Sequence, residues 1–229
     1  NVKWIKNISE LKNEHNIFIA NEFFDALPFK QFFKINNKWM ERFVVVDKNN
    51  TKNFTKIVSN IDKIEKKLRF KISKNQKVIE FSPLALNYLK NISKKIYHKK
   101  GCLLIIDYGY LDDQMKDTMM SIRKHKYTNI LNTFGNSDIT YKLNFKILKK
   151  ITKNLKLKCQ AITSQRNFLI SLGIQQRAEI LSKNLPFSKK ADIYYRLKRL
   201  IDKDQMGNLF KVMLITNKKT NFKIGFEID

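Results

Sequence analysis

The chain has 229 residues, enough for one α/β domain and too few for two generous ones. It is 43% hydrophobic and 12% aromatic, which excludes disorder or a coiled coil as a reading of the whole, and its apolar runs fall short of the roughly 18 residues a membrane span needs. Only 6 glycines argue against a linker-like chain and against most glycine-loop nucleotide sites, while a net charge of +26 raises the question of an anionic partner.

The first strand in chain order is Ile17–Ala20, a short apolar run followed by Asn21-Glu22. Phe32–Ile35 and Phe43–Val46 flank Asn36-Asn37, a pair that tolerates the positive φ of a hairpin turn. Residues 48–77 are rich in Lys and Asn with little period, and read as a variable surface segment. Ser82-Pro83 opens a helix, with Ser as N-cap and Pro in the first turn, and Leu86, Leu89, Ile92 and Ile96 share one face of it. After Gly101 an apolar run from Leu103 to Ile106 predicts a strand covered on both faces, stopping at Asp107-Tyr108-Gly109-Tyr110. Thr118–Arg123 alternates weakly, as a strand would. Phe145, Leu148, Ile151 and Leu155 mark an amphipathic helix, and Leu157–Ile162 a strand. Ser164 caps a helix reaching Leu172 before Gly173, and Ser188 caps one carrying Ile193, Leu197 and Leu200. Phe210–Ile215 is the last strong strand, with Phe222–Phe226 expected to pair with it. Alternating strands and helices imply an α/β sheet with antiparallel strands gathered at the end.

The charge has an explanation that needs no partner. The chain holds 39 Lys but 7 Arg, alongside 24 Asn and 28 Ile, the residues that an AT-rich coding sequence over-produces. Its lysines are scattered, with only short pairs such as Lys66-Lys67, Lys99-Lys100 and Lys189-Lys190, whereas nucleic-acid surfaces concentrate Arg for its forked geometry. Nucleic acid is therefore not the expected partner. Cys102 and Cys159 lie far apart in apolar runs and read as buried reduced thiols, and His15, His98 and His125 have no metal-ligand spacing. The sequence opens at Asn1 with no initiator Met, signal core or transit pattern, which fits a start within something longer.

Ligands of open α/β sheets bind beyond the carboxyl ends of the strands. Two strands end there in polar residues: Ile17–Ala20 runs into Asn21, Glu22 and Asp25, and Leu103–Ile106 into Asp107. Carboxylates at such a rim could hold a cation or accept a proton, and any one of them could equally cap a helix or brace a loop.

The string Ala20-Asn21-Glu22-Phe23-Phe24-Asp25-Ala26-Leu27-Pro28 closely resembles the signature of the MidA-like family, S-adenosylmethionine-dependent methyltransferases of the mitochondrial complex I assembly-factor type. Trp39 with Glu41-Arg42 resembles the family's W-x-E-R, Glu80-Phe81-Ser82-Pro83 its E-x-S-P, and Ile106-Asp107-Tyr108-Gly109-Tyr110 its I-D-Y-G-Y. Asp117-Thr118 with His125 is similar to G-D-T-L…H, and Gly135 with Asp138-Ile139-Thr140 to P-G-x-x-D-L-T. Gln165…Phe168-Leu169…Leu172-Gly173-Ile174…Arg177 and Gln205-Met206-Gly207 follow in order. Lys116 stands where the family has Gly, and Asn144 where it has Asp. The glycines at 101, 109, 135, 173, 207 and 225 form no G-x-G, so the glycine-rich cofactor turn is missing.

The resemblance implies a class I methyltransferase, a Rossmann-like doubly wound sheet lacking its first strands, with antiparallel additions. Residues 1–229 would be the C-terminal portion of that single domain. It implies S-adenosylmethionine as cofactor and protein arginine as substrate, a complex I subunit by resemblance. Glu22, Asp25 and Asp107 would orient the guanidinium, Asn21 would lie beside the cofactor's methyl, and Tyr108, Gly109, Asp138 and Thr140 would contact substrate. A separate N-terminal half is a further expected partner. The location implied is the cytoplasm of an AT-rich bacterium, or the mitochondrial matrix of a eukaryote. The rival readings are an inactive or split-gene remnant of such an enzyme, and a basic RNA- or protein-binding module.

Overall fold

Nine consecutive residues, Cys102–Tyr110, alternate half-buried and buried along one strand, and the main sheet is built around it. A computed structural model describes residues 2–12, 14–98, 101–124, 126–133, 135–220, 222 and 224–226. The Lys99-Lys100 pair, His125 and the chain's first residue lie outside the described residues, as does the His98 side chain.

In order the elements are β1 (Ile17–Asn21), β2 (Lys30–Ile35), β3 (Lys38–Val46), β4 (Lys52–Val58), α1 (Ile61–Leu68), β5 (Val78–Phe81), α2 (Pro83–His98) and β6 (Cys102–Tyr110). There follow β7 (Met120–Arg123), β8 (Lys126–Tyr127), β9 (Asp138–Thr140), β10 (Leu143–Asn144), α3 (Phe145–Asn154) and β11 (Lys158–Ser164). Last come α4 (Gln165–Ser171), α5 (Ile174–Ser182), α6 (Phe187–Ile201) and β12 (Phe210–Thr216).

The main sheet runs β1-β6-β12-β11, with β10 beside the end of β6. β1 is parallel to β6, Ile17 opposite Cys102 and Asn21 opposite Ile106, while β12 is antiparallel to both β6 and β11. Alternation sends Leu103, Ile105, Met213 and Ile215 into one core with Leu89, Ile92 and Ile96 of α2 and Ile147, Leu148 and Ile151 of α3. Val212 and Leu214 face the other way, onto Phe168 of α4 and Phe226. The sheet is thus covered on both faces at β6 and β12. Over β1 this second layer is missing among the described residues: Phe18 packs against the first core, but Ile17 and Ile19 on the opposite face are 75% and 70% exposed.

A second sheet, β4-β3-β2-β5, stands beside it, and β8-β7-β9 form a third. The β2–β3 turn is Asn36-Asn37, with φ of 47° and 61°, as the sequence predicts. Ser82 Oγ accepts from the Ala85 amide, and Ser164 Oγ from the Asn167 amide, so both expected N-caps are present.

Four expectations are corrected. The 48–77 segment carries β4 and α1, because Asn60 caps α1 and its Ile64 and Leu68 are buried in the core; a lysine-rich outer face had hidden that stripe. β6 does not stop at Ile106 but runs through Tyr110, since the backbone amides that meet Asp107 let a carboxylate sit inside a strand. Ser188 is inside α6, which starts after Pro186, and α5 was not foreseen because it buries only Ala178 and Ser182. In the 222–226 segment the described residues hold a turn at Ile224-Gly225 rather than a strand.

Candidate active site

The carboxyl ends of β1 and β6 are adjacent because those strands are parallel and in register. β1 hands over to the Glu22–Pro28 loop through Glu22, whose amide still donates to Ile106 O at 3.0 Å while its φ of 46° turns the chain off the sheet. A left-handed glutamate costs on the order of 1 kcal/mol, and that strain sits at the rim. The turn brings the next residues back over β6. Asp107 Oδ2 accepts from the amides of Phe24 at 3.0 Å and Asp25 at 3.3 Å, and Oδ1 from its neighbour Tyr108 at 2.9 Å. Asp107 is 0% exposed, so it anchors the loop from inside the core.

Asp25 closes the other side. Its Oδ2 accepts from Thr140 Oγ1 at 2.8 Å, which ties the loop to β9, while its Oδ1 is buried and takes no bond from an amide or hydroxyl donor. The Asp25 and Asp107 carboxyls lie within side-chain hydrogen-bond reach of each other, so a proton on Asp107 supplies the donor that a buried carboxylate oxygen needs. Burial and then the charge of Asp25 push the Asp107 carboxyl up to about 8, against the amide bonds that favour its ionised form. At neutral pH Asp107 therefore holds a proton, which relieves the repulsion between the two acids.

Tyr108 points to the opposite face of β6, with its ring 4.1 Å from that of Phe210. Burial first, then the charges of Glu22 and Asp25, raise its phenol above the ordinary value, which places both acids within electrostatic reach of it. Asn21 and Glu22 are exposed at the rim. Gly109 has a packing role: a Cβ there would lie 2.4 Å from the Phe145 ring and 2.5 Å from Leu143 O. Asp138 is exposed and pairs across β7–β9 with Ile122. The structure thus brings Asp25, Asp107 and Thr140 together and sets Asn21, Glu22 and Tyr108 at the same rim, while Gly109 packs beneath Phe145 and Asp138 stands exposed two residues before Thr140.

A second polar group joins Arg42, Glu80, Asp117 and Thr118, which the sequence marked only as separate motif matches. Glu80, buried on β5, accepts from Gln31 Nε2 at 2.5 Å, the Thr118 amide at 3.3 Å and the Thr118 hydroxyl. Gln31 in turn accepts from Arg42 at 2.8 Å, and Arg42 pairs with Asp117 at 3.0 Å. Burial raises the Glu80 carboxyl despite these bonds. Thr118 Oγ1 also accepts the Lys142 amide at 2.9 Å, so the network braces the segment just after Thr140. The signal was available: Glu80 interrupts the apolar run Val78-Ile79-Glu80-Phe81, and a lone acid in a buried strand needs partners.

The departures at 116 and 144 are also accounted for. Lys116 pairs with Asp112 at 2.7 Å and has no left-handed φ that would demand glycine. Asn144 caps α3 through Oδ1 and donates through Nδ2 to Asp112 O and Gln114 O, a donation an aspartate could not make.

Among the described residues no helix is long and apolar enough to cross a membrane. Curated relatives named "Protein arginine methyltransferase NDUFAF7, mitochondrial" match over most of the chain. The Danio rerio protein is 27% identical over 216 residues, 94% of this chain and 51% of its own. The Homo sapiens protein is 24% identical, covering 91% and 47%. The chain therefore spans about half the length of these relatives. A Burkholderia thailandensis protein crystallised with S-adenosyl-homocysteine superposes with a TM-score of 0.78 at 20% identity, over 98% of this chain and 58% of that one. That likeness establishes the fold, an α/β fold of the class I methyltransferase kind. A family model described as S-adenosyl-L-methionine-dependent methyltransferase matches residues 1–163, and the chain belongs to that family.

Proposed function

We propose that this chain is the C-terminal, substrate-facing portion of a methyltransferase domain that transfers a methyl group from S-adenosylmethionine to a protein arginine. The observation that carries the reading is the pair of acids, Asp25 and Glu22, that the turn at Glu22 sets beyond the adjacent carboxyl ends of β1 and β6. A guanidinium is planar, always cationic and donates in a fixed fork, so it fits two acids set close together. The relatives' name supplies the arginine and, if the source is eukaryotic, the mitochondrion, and the resemblance to the assembly-factor type suggests a complex I subunit as the protein, met in the matrix.

Bound S-adenosylmethionine would supply an electrophilic methyl on a sulfonium. Asn21, Glu22 and Asp25 would form the wall of its site nearest the substrate, and the chain's glycines, none two apart, leave the rest of that site to another segment. The chain's own residues do the positioning. Asp25 accepts one guanidinium N–H, and Thr140 holds Asp25 in place. Glu22 accepts a second N–H from the solvent side. Protonated Asp107 fixes the loop without adding a second buried charge. In-line methyl transfer depends mainly on such alignment. As the nitrogen gains its methyl it loses a proton, and Glu22, exposed at the rim, can pass that proton to water.

The bare β1 face at Ile17 and Ile19 suits the rest of a doubly wound sheet, the further length that the relatives possess.

The test is transfer of tritiated methyl from S-adenosylmethionine to arginine- and lysine-containing versions of one peptide, by the protein expressed from its complete reading frame. Label on the arginine version alone supports the reading. Equal labelling of both, or labelling unaffected by Asp25→Asn, overturns it.

A further inference from the structure

Beside the rim the chain holds a cavity of about 380 Å³ that the reading above leaves unused. Its walls include Phe29, Arg42, Val44, Phe54, Met119 and Ile139. Two lining residues connect it to the candidate site: Ala26 follows Asp25, and Ile139 precedes Thr140, the pair joined by the 2.8 Å hydrogen bond. The outer wall is a projecting ribbon. β2 pairs with β3 only as far as Glu41, so from Arg42 to Val46 the strand pairs with β4 alone. Val44 lies opposite Phe54, and both are more than two-fifths exposed. Two-stranded ribbons are marginal in water, and this one shows large apolar side chains to solvent.

The ribbon is nonetheless held in shape. The Arg42 guanidinium lies 4.3 Å from the Phe33 ring centre and 5.1 Å from that of Phe54, with Gln31 and Asp117 as its hydrogen-bond partners. Such stacking makes the cavity wall rigid rather than collapsible. Lys52 and Lys56 flank Phe54 on its face, opposite Val46 and Arg42. Between residues 30 and 58 there are seven basic residues and two acidic ones. The outer edge of β4 pairs with no strand among the described residues, which leaves its amides and carbonyls open to an extended backbone.

We infer that the cavity between the β3–β4 ribbon and the Ala26–Phe29 loop is a specificity pocket that takes one large apolar side chain of an extended, acidic protein segment next to the residue being methylated. This rests on the methyltransferase reading and adds the substrate class. The occupant is polypeptide because an open strand edge, an apolar cavity and a surplus of lysines occur on one ribbon. Its flanks are acidic to complement Lys52 and Lys56, which stand on either side of Phe54 on the same face of the ribbon.

The experiment exposes the immobilised protein, expressed from its complete reading frame, to a peptide library with arginine fixed at the centre and five degenerate positions on each side. Retained peptides are sequenced for wild type, Phe54→Ser, Val44→Asp and Asp25→Asn. The expected result is enrichment of Leu, Ile, Phe or Met at one fixed offset from the arginine, with Asp and Glu enriched around it. Phe54→Ser and Val44→Asp should each reduce the apolar selection at least fivefold, with thermal unfolding near that of wild type. Asp25→Asn should reduce dependence on the central arginine and keep the apolar selection, so a failure of the arginine reading is distinguishable from a failure of the pocket. No positional apolar preference, a preference that survives both ribbon variants, or enrichment of Lys and Arg would overturn the proposal. So would sedimentation equilibrium showing a dimer that Val44→Asp dissociates, because the ribbon would then belong to a second copy of the chain.

Discussion

Replacing Asp107 by Asn should flatten the dependence of stability on pH. In the folded chain this carboxyl is pushed up to about 8 by burial and by Asp25, whereas an unfolded aspartate titrates near about 3.9. Between those values the folded state binds the proton and the unfolded state does not. Stability contributed by this group is therefore present at low pH and declines as pH rises through 8. The interval sets a ceiling on the order of 5 kcal/mol on that loss, the opposing amide bonds from Phe24 and Asp25 being already contained in the raised value. Asn keeps one carbonyl oxygen, enough for the Phe24 and Asp25 amides that share Oδ2, and cannot ionise. The assay is urea unfolding of both proteins at pH 5, 6, 7 and 8, with Glu80→Gln as a control because Glu80 is also raised by burial. Wild type should lose stability relative to Asp107→Asn as pH rises, the gap widening steadily from 5 to 7 and more slowly towards 8. Parallel curves would refute the assignment of a proton to Asp107.

Three other outcomes are expected. Glu22→Gln keeps the shape and removes one charge-assisted bond, so methyl transfer should drop about ten- to a hundredfold, with the melting temperature unchanged; a matching loss of both would mark Glu22 as a structural brace. Gly109→Ala forces a Cβ against the Phe145 ring and Leu143 O, and calorimetry should show at least about 1–3 kcal/mol lost; an unchanged melting temperature contradicts the packing role. Calorimetric titration should find S-adenosylmethionine binding to the isolated chain much weaker than to the protein from the complete reading frame, because this chain has no glycine turn to cradle it; equal affinities would count against the division of the cofactor site.

Strands with pure alternation or unbroken apolar runs, such as Leu103–Ile106 and Phe210–Ile215, were legible, as were Ser82 and Ser164, whose caps follow from local chemistry. The Asn36-Asn37 turn was legible because few residues tolerate left-handed φ. What failed did so for tertiary reasons. α1 shows its apolar stripe only through Ile64 and Leu68 amid lysines, and α5 lies so exposed that its side chains carry little period. Strand β6 continued past Ile106 because backbone amides from a distant loop solvate Asp107, a contact no local window contains. The rim was readable as adjacent strand ends. The pairing of Asp25 with Thr140 and the partners gathered around Glu80 were not, since they depend on segments 38 to 115 residues apart meeting at one point.

The most direct measurement of the central claim is the rate of tritiated methyl transfer to an arginine peptide by the protein from its complete reading frame, wild type against Asp25→Asn. A guanidinium held by the Asp25 charge predicts a loss of at least tenfold with little change in S-adenosylmethionine affinity or thermal stability. An undiminished rate in a variant that still binds cofactor would contradict a guanidinium site at Asp25.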